Sequence, residues 1–307
     1  MVASATNTLH IQKGLLYGFN NAQGEYIEAL SERTELIRTH QVKRTEDNLL
    51  KVTTDGRKCA LDIRLVDPKT KLSPCEKNKV NVCAEEVYRV YCEEPDTCQI
   101  VFSDIGTPKS AFNVYDALRF DLIGRGIPQE EIAFVHDATC ESARVKLFSA
   151  INAGAVRVVV GSTAKLGVGV NVQERLIALH HLSVPWRPAD MVQREGRILR
   201  RGNTCKKVQI YRYVTEGSFD SYSWQLLENK QRFISSFLSG TSATRDADDV
   251  ADVVLNYAEI KALAIGNPLI KKRVETANRL ERTKIACRLR QKQMLDLQTV
   301  SESIPSE

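Results

Sequence analysis

Short apolar runs alternate with helical patterns over the middle of the chain. Runs rich in valine and isoleucine predict buried strands, and apolar residues three or four positions apart predict helices. The predicted strands are 98–103, 132–136, 155–160, 176–182 and 207–213. The predicted helices are 80–91, 112–123, 141–152 and one that begins at Pro188. Because the apolar strands are continuous rather than alternating, this order predicts an α/β fold with a parallel sheet covered on both faces.

Outside this middle part the patterns are less regular. Residues 1–20 are interpreted as either a strand or a loop, and 48–65 is a mixed region. Helical patterns cover 25–40 and 219–238, and a polar surface loop is expected over 69–79. After an acidic stretch, residues 270–292 carry nine Lys or Arg against two Glu and predict a long basic helix. Such a helix could follow a DNA backbone, or it could equally be a solvated helix or a contact to another part of a larger chain, and the sequence favours none of these.

Composition restricts the class of protein without selecting a function. A chain of 307 residues can hold one large or two modest domains, and 43% hydrophobic with 26% charged residues is typical of a globular protein. The net charge of +5 permits contact with nucleic acid but does not require it. The eight cysteines include no C-x-x-C pair, which favours reduced thiols over a metal site. With no signal peptide and no apolar run of membrane length, we expect a cytoplasmic protein without a membrane partner.

Candidate chemistry concentrates between residues 156 and 202. A valine-rich strand is followed by a loop that begins at Ser162-Thr163 and contains Gly167, Gly169 and Asn171. Pro188 is at the expected first position of a helix that carries Gln193, Arg197 and Arg200. Their spacing of three and four places these three side chains on one helix face. Two guanidinium groups and an amide beside a glycine-containing loop suit a polyphosphate ligand.

Two segments of this region resemble the last two motifs of superfamily-two helicases, in their Swi/Snf-type branch. Residues 162–171, STAKLGVGVN, correspond roughly to the pattern S-T-x-x-G-x-G-x-N, with one more residue before the first glycine. Residues 193–202, QREGRILRRG, match Q-x-x-G-R-x-x-R-x-G. Between them, PWRPAD at 185–190 resembles the family's D-W-N-P-x-x-D, with Pro in place of the first Asp and Arg in place of Asn. The amino-acid sequence of these segments also resembles the C-terminal portion of very large helicases of phages and mobile elements, some of which are fused to methyltransferases.

The resemblance implies a fold and a division of the chain. It implies the RecA-like C-terminal lobe of a helicase, with helices on both faces of a parallel sheet and helical segments on either side. Residues 1–95 would be a mainly helical connection from a first lobe, 96–217 the RecA-like domain, and 218–307 a helical extension. The chain contains no Gly-Lys-Ser/Thr and no Asp-Glu-x-His sequence. A first lobe that carries the phosphate loop and the acidic box is therefore expected as a partner, in cis or in trans.

The resemblance also implies roles for individual residues. Arg197 and Arg200 would be catalytic, with Arg200 as the arginine finger that stabilises the transferring phosphoryl group. Four residues would contact the nucleotide: Gln193, Gly167, Gly169 and Asn171, the last near the ribose. Three residues would contact DNA phosphates: Ser162, Thr163 and Ser103, the last at the position of the family's fourth motif. ATP and Mg²⁺ would be the cofactors, bound only together with the first lobe, and DNA would be the second partner.

Other interpretations of the same residues stay open. A stand-alone DNA-binding or regulatory module could keep this fold without hydrolysing ATP and dock on a separate motor lobe. A dinucleotide-binding loop is disfavoured because Gly167-Val168-Gly169 lacks a third glycine and an immediate helix. Gly196, inside the predicted helix, suggests the close approach of another group. His180 and His181 are interpreted as a buried structural pair, and His136 as a loop or core histidine rather than a catalyst.

Overall fold

A computed structural model gives the structure of most of the chain. It describes residues 9–17, 20–43, 45–71, 78–108, 112–166, 171–215 and 218–238, with the isolated positions 276, 283, 290 and 294. The acidic stretch and nearly all of the expected basic helix 270–292 lie outside these residues. So do Gly167 and Gly169. No helix among the described residues is long and apolar enough to cross a membrane.

Six parallel strands form the sheet of the described residues. The strands are β1 Leu9–Tyr17, β2 Cys98–Phe102, β3 Ile132–Phe134, β4 Val158–Gly161, β5 Leu176–His181 and β6 Lys207–Thr215. Their order across the sheet is β1-β6-β5-β2-β4-β3. Every residue of β2, β4 and β5 is buried, which explains why their sequences are continuously apolar. The predicted α/β fold with a parallel RecA-like sheet is thus confirmed.

Eight α-helices accompany these strands in the described part of the chain. They are α1 Asn21–Arg38, α2 Leu49–Leu61, α3 Lys79–Glu93, α4 Val114–Gly124, α5 Glu141–Ala153, α6 Thr163–Leu166, α7 Pro188–Ile198 and α8 Phe219–Leu238, with 3₁₀ turns at Ile63–Leu65 and Gln129–Glu131. One apolar core joins Val87 of α3 and Leu118 of α4 to the sheet. A second core joins Ile151 of α5 and Ile198 of α7 to it. The sheet therefore carries helices on both faces, as its sequence predicted.

Asparagine side chains begin four of the helices. Asn20, Asn48, Asn78 and Asn113 each accept a hydrogen bond from a backbone N–H in the first turn of α1, α2, α3 and α4. Asn20 also forms a reciprocal capping box with Gln23, so α1 begins four residues before the predicted start at residue 25. At the other end of α5, Gly154 adopts a left-handed conformation with φ of 84°, as expected for a helix-ending glycine.

Segments from both ends of the described chain join this domain. The first strand, β1, lies within the predicted connecting segment 1–95 and pairs with β6 at the edge of the sheet. Helices α1, α2 and α8 share a separate apolar cluster of Leu30, Val52 and Phe219. A Cβ atom on Gly56 of α2 would lie 2.6 Å from the Phe219 ring, so the glycine permits this close approach. The division at residues 95 and 217 stays a prediction.

Candidate functional site

Three loops meet where the central strands end. Phe102 at the end of β2 is in register with Gly161 of β4 on one side and with His181 of β5 on the other. The residues that follow these strands therefore share one edge of the sheet. In parallel α/β sheets, ligands bind at the carboxyl edge of the strands.

A buried arginine connects these loops to α7. Arg194 is 1% exposed, and its Nη2 donates to Oδ2 of Asp104 at 2.5 Å. Its Nε donates to the hydroxyl of Thr163 at 2.8 Å, and its Nη1 donates to the carbonyl of Ser183 at 2.9 Å. Asp104 also accepts the backbone N–H of Thr163 at 2.7 Å and its hydroxyl at 2.8 Å. Arg194 thus fixes α7 to the ends of β2, β4 and β5.

Asp104 compensates the buried positive charge of Arg194. Burial lowers the pKa of the Arg194 guanidinium, while the nearby Asp104 carboxylate opposes that shift. A guanidinium keeps its proton in proteins, so the buried group stays cationic and needs its anionic partner. The pair is therefore structural in character, because it satisfies both side chains inside the protein.

Four of the predicted nucleotide-site residues lie around one open cavity. The cavity has a volume of about 570 Å³ and is lined by Asn171, Gln193, Gly196, Arg197 and Arg200. Arg200 donates from Nη1 to Oδ1 of Asn171 at 3.0 Å. Burial, and secondarily the positive charge of Arg200, lowers the pKa of Arg197. Of the five lining residues none is acidic, so two like charges meet in a space that suits a polyanion.

Two details of this cavity differ from the sequence expectation. Helix α7 begins at Pro188 as predicted but ends at Ile198, with Leu199 as its C-cap, so Arg200 lies in the bend after the helix rather than on it. A Cβ atom on Gly196 would meet no atom within 4 Å. No described protein group makes the close approach expected at this glycine, and its open side faces the cavity.

The predicted DNA-contact residues lie inward of the surface. Ser103 is 0% exposed and donates from its hydroxyl to the carbonyl of Ile105 at 2.7 Å. Ser162 and Thr163 are each 8% exposed, and the Thr163 hydroxyl and N–H both bond to Asp104. Their contact with a nucleic-acid phosphate stays a prediction. The structure shows them holding the strand ends in place.

The histidines of β5 are buried, as predicted. The His180 ring contacts the Tyr213 hydroxyl at 2.7 Å through Nδ1 and Gln99 Oε1 at 3.0 Å through Nε2, and burial lowers its pKa to about 3. Burial lowers the pKa of His181 to about 4, against the opposing effect of Glu195, whose Oε1 is 3.4 Å from Nε2. Among the described residues, no cluster of His, Cys, Asp and Glu could hold a metal ion.

A tryptophan loop supports the start of α7. Two cations lie over the Trp186 ring, with the Arg57 guanidinium 4.7 Å and the Lys230 ammonium 5.6 Å from its centre. Arg57 also donates to the carbonyl of Val184 at 2.7 Å. Because Arg57 belongs to α2 and Lys230 to α8, helices from both ends of the described chain hold the segment that leads into α7.

Sequence reasoning missed Asp104 and Arg194 as members of the site. Arg194 is four residues before the buried Ile198, so it falls on the inward face of α7. A charged residue on an apolar helix face, together with a carboxylate just after a buried strand, was the signal that could have revealed the pair. The outward residues Gln193 and Arg197 were identified because the family motif names them.

Comparison with known proteins now shows what this part of the chain is similar to. Residues 79–202 match the helicase conserved C-terminal domain. Over 136 residues the chain is 32% identical to "Defense against restriction protein B" of Escherichia phage P1, an alignment that covers 44% of this chain and 6% of that protein. The chain thus spans a small part of the curated relative that it matches.

The fold is similar to that of Swi2/Snf2 ATPase cores. The C-terminal part of the Fun30 ATPase domain superposes with a TM-score of 0.57 at 14% identity, over 88% of this chain and 98% of that one. The Sulfolobus solfataricus SWI2/SNF2 ATPase core in complex with dsDNA gives 0.57 at 15% identity, over 75% of this chain and 46% of that one. The fold that the resemblance to a Swi/Snf-type C-terminal lobe implies is confirmed.

Proposed function

We propose that the chain supplies the second motor lobe of an ATP-dependent DNA helicase or translocase. In this proposal Arg197 and Arg200 complete an ATPase site whose other half belongs to a first lobe. The observation that carries it is the cavity in which Gln193, Arg197, Arg200 and Asn171 converge. Helicase membership of residues 79–202 and the fold of Swi2/Snf2 cores support the same assignment.

The residues around the cavity fit the phosphates of a nucleotide but not its metal ion. Guanidinium groups bind phosphate oxygens through paired N–H donors, and the two arginines supply such donors on one side of the cavity. Mg²⁺ prefers carboxylate and water oxygens, and none of the five lining residues carries a carboxylate. The metal ligands would therefore come from the first lobe, in agreement with the expectation that ATP and Mg²⁺ bind only between two lobes.

In the proposed mechanism the arginines act on charge that develops during phosphoryl transfer. Bound ATP with Mg²⁺ would supply the phosphoryl group and neutralise part of its charge. Arg200, in the exposed bend after α7, would reach the γ-phosphate, and Arg197 would hold the neighbouring phosphate oxygens. An arginine in this position contributes about a thousandfold or more to the rate. Gln193 would orient the same group through its amide.

The Asp104–Arg194 pair would connect this site to DNA. Arg194 fixes α7 to the strand ends, where Thr163 and its neighbours would contact a phosphate of the DNA backbone. A movement of α7 on ATP binding or release would then also move the residues that contact the DNA phosphate. Net movement requires that the two lobe arrangements bind DNA with different affinities.

The first experiment measures ATP hydrolysis by the purified chain, with and without duplex DNA. We expect no turnover from the chain alone, because ATP with Mg²⁺ needs the first lobe. The arginines should still give the chain weak, Mg²⁺-independent binding of a fluorescent ATP analogue, and binding of DNA should be sensitive to salt. Arg197→Ala/Arg200→Ala should weaken binding of the analogue by at least about tenfold. Arg201→Ala removes one positive charge from an exposed residue outside the cavity lining and should change analogue binding little.

The outcomes separate the candidate functions. Turnover by the chain alone that the double variant abolishes would contradict the half-motor proposal. DNA binding without any affinity for the analogue would favour the alternative, a DNA-binding or regulatory module that does not hydrolyse ATP and docks on a separate motor lobe.

A further inference from the structure

Helix α5 holds both ends of the loop that contains Gly167 and Gly169. Before the loop, Arg144 donates from Nη2 to the carbonyl oxygen of Lys165 at 2.8 Å. After the loop, Asn152 donates from Nδ2 to the carbonyl oxygen of Asn171 at 2.9 Å. Both donors belong to α5, whose inner side contributes Ile151 to the core under the sheet. The anchored helix α5 therefore holds the backbone at Lys165 and at Asn171.

The second of these contacts continues to the arginine finger. Asn171 accepts Asn152 through its backbone carbonyl and accepts Arg200 through its side-chain Oδ1, at 3.0 Å. Any movement of the Asn171 backbone moves the acceptor that holds the Arg200 guanidinium. Two successive hydrogen bonds thus connect α5 to Arg200, although α5 itself does not line the cavity.

We propose that Asn152 is a positioning residue for Arg200, acting through Asn171, and that the Asn171 side chain holds the Arg200 guanidinium at the mouth of the cavity. This rests on the proposed function, which gives Arg200 its role toward phosphate. It assigns Asn171 a partner other than the ribose suggested by the family resemblance.

The chemistry of the two amides makes opposite predictions for the same substitution. Asn152 must present its N–H group to a carbonyl, while its Oδ1 is buried without a hydrogen-bond partner among the described residues. Asn152→Asp keeps the size but turns an oxygen toward the Asn171 carbonyl, so the contact becomes repulsive. Asn171→Asp turns the acceptor of Arg200 into a carboxylate and strengthens the hold by an ion pair. The first change should release Arg200 and the second should retain it.

The first test is chemical labelling of the full chain without nucleotide. Phenylglyoxal modifies accessible arginines, and peptide mass spectrometry gives the rate at Arg200 relative to the exposed Arg187. We expect Asn152→Asp and Asn171→Ala to raise the relative rate about three- to tenfold, as for loss of one hydrogen bond. Asn171→Asp should lower it. Equal rates in wild type, Asn152→Asp and Asn171→Ala would overturn the proposal.

The second test is a double-mutant cycle on binding of a fluorescent ATP analogue. Asn152→Asp should weaken binding about two- to tenfold in the wild-type background and have no further effect beside Arg200→Ala. Additive losses would mean that Asn152 does not act through Arg200, and would overturn the proposal while leaving the proposed function intact. Ser149→Ala, at an exposed position of the same helix, is the matched control.

Two further results keep the inferences separate. If the wild-type chain binds no analogue, the proposed function fails and the labelling experiment alone decides the role of Asn152. If Asn152→Asp does not fold, Asn171→Ala and Asn171→Asp test the hold on Arg200. An Asp at residue 171 could accept a ribose hydroxyl as well as hold Arg200, so the labelling rate decides between the two roles. A rate at Arg200 in Asn171→Asp as high as in Asn171→Ala would contradict ours.

Discussion

At the scale of single residues, Arg194 and Arg197 show how neighbouring arginines of one motif take different tasks. Arg194 is buried and paired with Asp104, whereas Arg197 lines the open cavity beside Arg200. A motif match alone treats both as basic residues of one helix. What surrounds each side chain in the fold decides which one is structural and which can meet a ligand: Arg194 contacts the strand ends, and Arg197 faces the cavity.

Removing the anionic partner of Arg194 should therefore destabilise the fold. We expect Asp104→Asn to lower the free energy of unfolding by about 2–3 kcal/mol, less than for a wholly buried pair because the Asp104 side chain is 32% exposed. Asp137→Asn breaks the surface pair with Arg119 and should change stability by less than about 1 kcal/mol. Urea unfolding of both variants measures the difference, and equal effects would contradict a structural role for Asp104.

Gly196 allows stability and binding to be separated at one position. A Cβ atom there meets nothing within 4 Å, and alanine is favoured over glycine inside a helix by about 1 kcal/mol. We expect Gly196→Ala to stabilise the chain by about 0.5–1 kcal/mol. Because the methyl group enters the cavity, it should also weaken binding of the ATP analogue. Thermal unfolding and analogue titration check the two signs, and tighter or unchanged binding would show that Gly196 does not face the ligand.

At the scale of elements, strand β5 carries two histidines in the centre of the sheet. His180 bonds to Tyr213 of β6 and Gln99 of β2, so the side-chain contacts follow the strand order on both sides. His181 points to the other face, as successive strand residues do, and approaches Glu195 of α7. One strand thus connects the two layers of the domain through neutral, buried imidazoles.

These histidines should make the fold sensitive to acid. Their ordinary pKa is about 6.5, and burial lowers it to about 3 for His180 and about 4 for His181. Between these values the unfolded chain binds more protons, so stability falls as pH decreases from about 6.5 toward 4. Each histidine adds about 1.4 kcal/mol per pH unit to that slope. Unfolding of His180→Gln at several pH values should show the slope reduced by one proton. An unchanged slope would mean that His180 titrates normally in the fold.

At the scale of the whole molecule, the sequence predicted the central strands of the sheet better than the edge strand β1 and the ion pair between Asp104 and Arg194. Continuous apolar runs predicted β2, β4 and β5 because central strands are buried on both faces. Strand β1 was left open between strand and loop, since an edge strand such as LHIQKGLLY mixes polar and apolar residues and pairs with the distant β6. Asp104 and Arg194 were missed because their contact joins residues that only the folded sheet brings together.

A second ion pair between residues far apart in sequence holds α8 to the domain. Lys79 at the start of α3 and Asp220 of α8 are both buried and form a salt bridge, and Asp220 also accepts the Thr215 N–H at 3.3 Å. Burial lowers the pKa of Lys79, whereas Asp220 opposes the shift. A helix outside the matched residues 79–202 is therefore held by a charge pair inside the protein.

Replacing one or both partners of this pair should give different results. Asp220→Asn keeps an acceptor for Thr215 but leaves Lys79 without its anion, so we expect a loss of about 3–5 kcal/mol. Lys79→Met/Asp220→Asn removes the buried charge as well and should recover most of that loss, since an apolar side chain suits the site. Urea unfolding of the single and double variants gives their coupling energy. A double variant no more stable than Asp220→Asn would mean that the desolvated ammonium is not what makes the single change costly, and that α8 is held chiefly by the contact of Phe219 with α2.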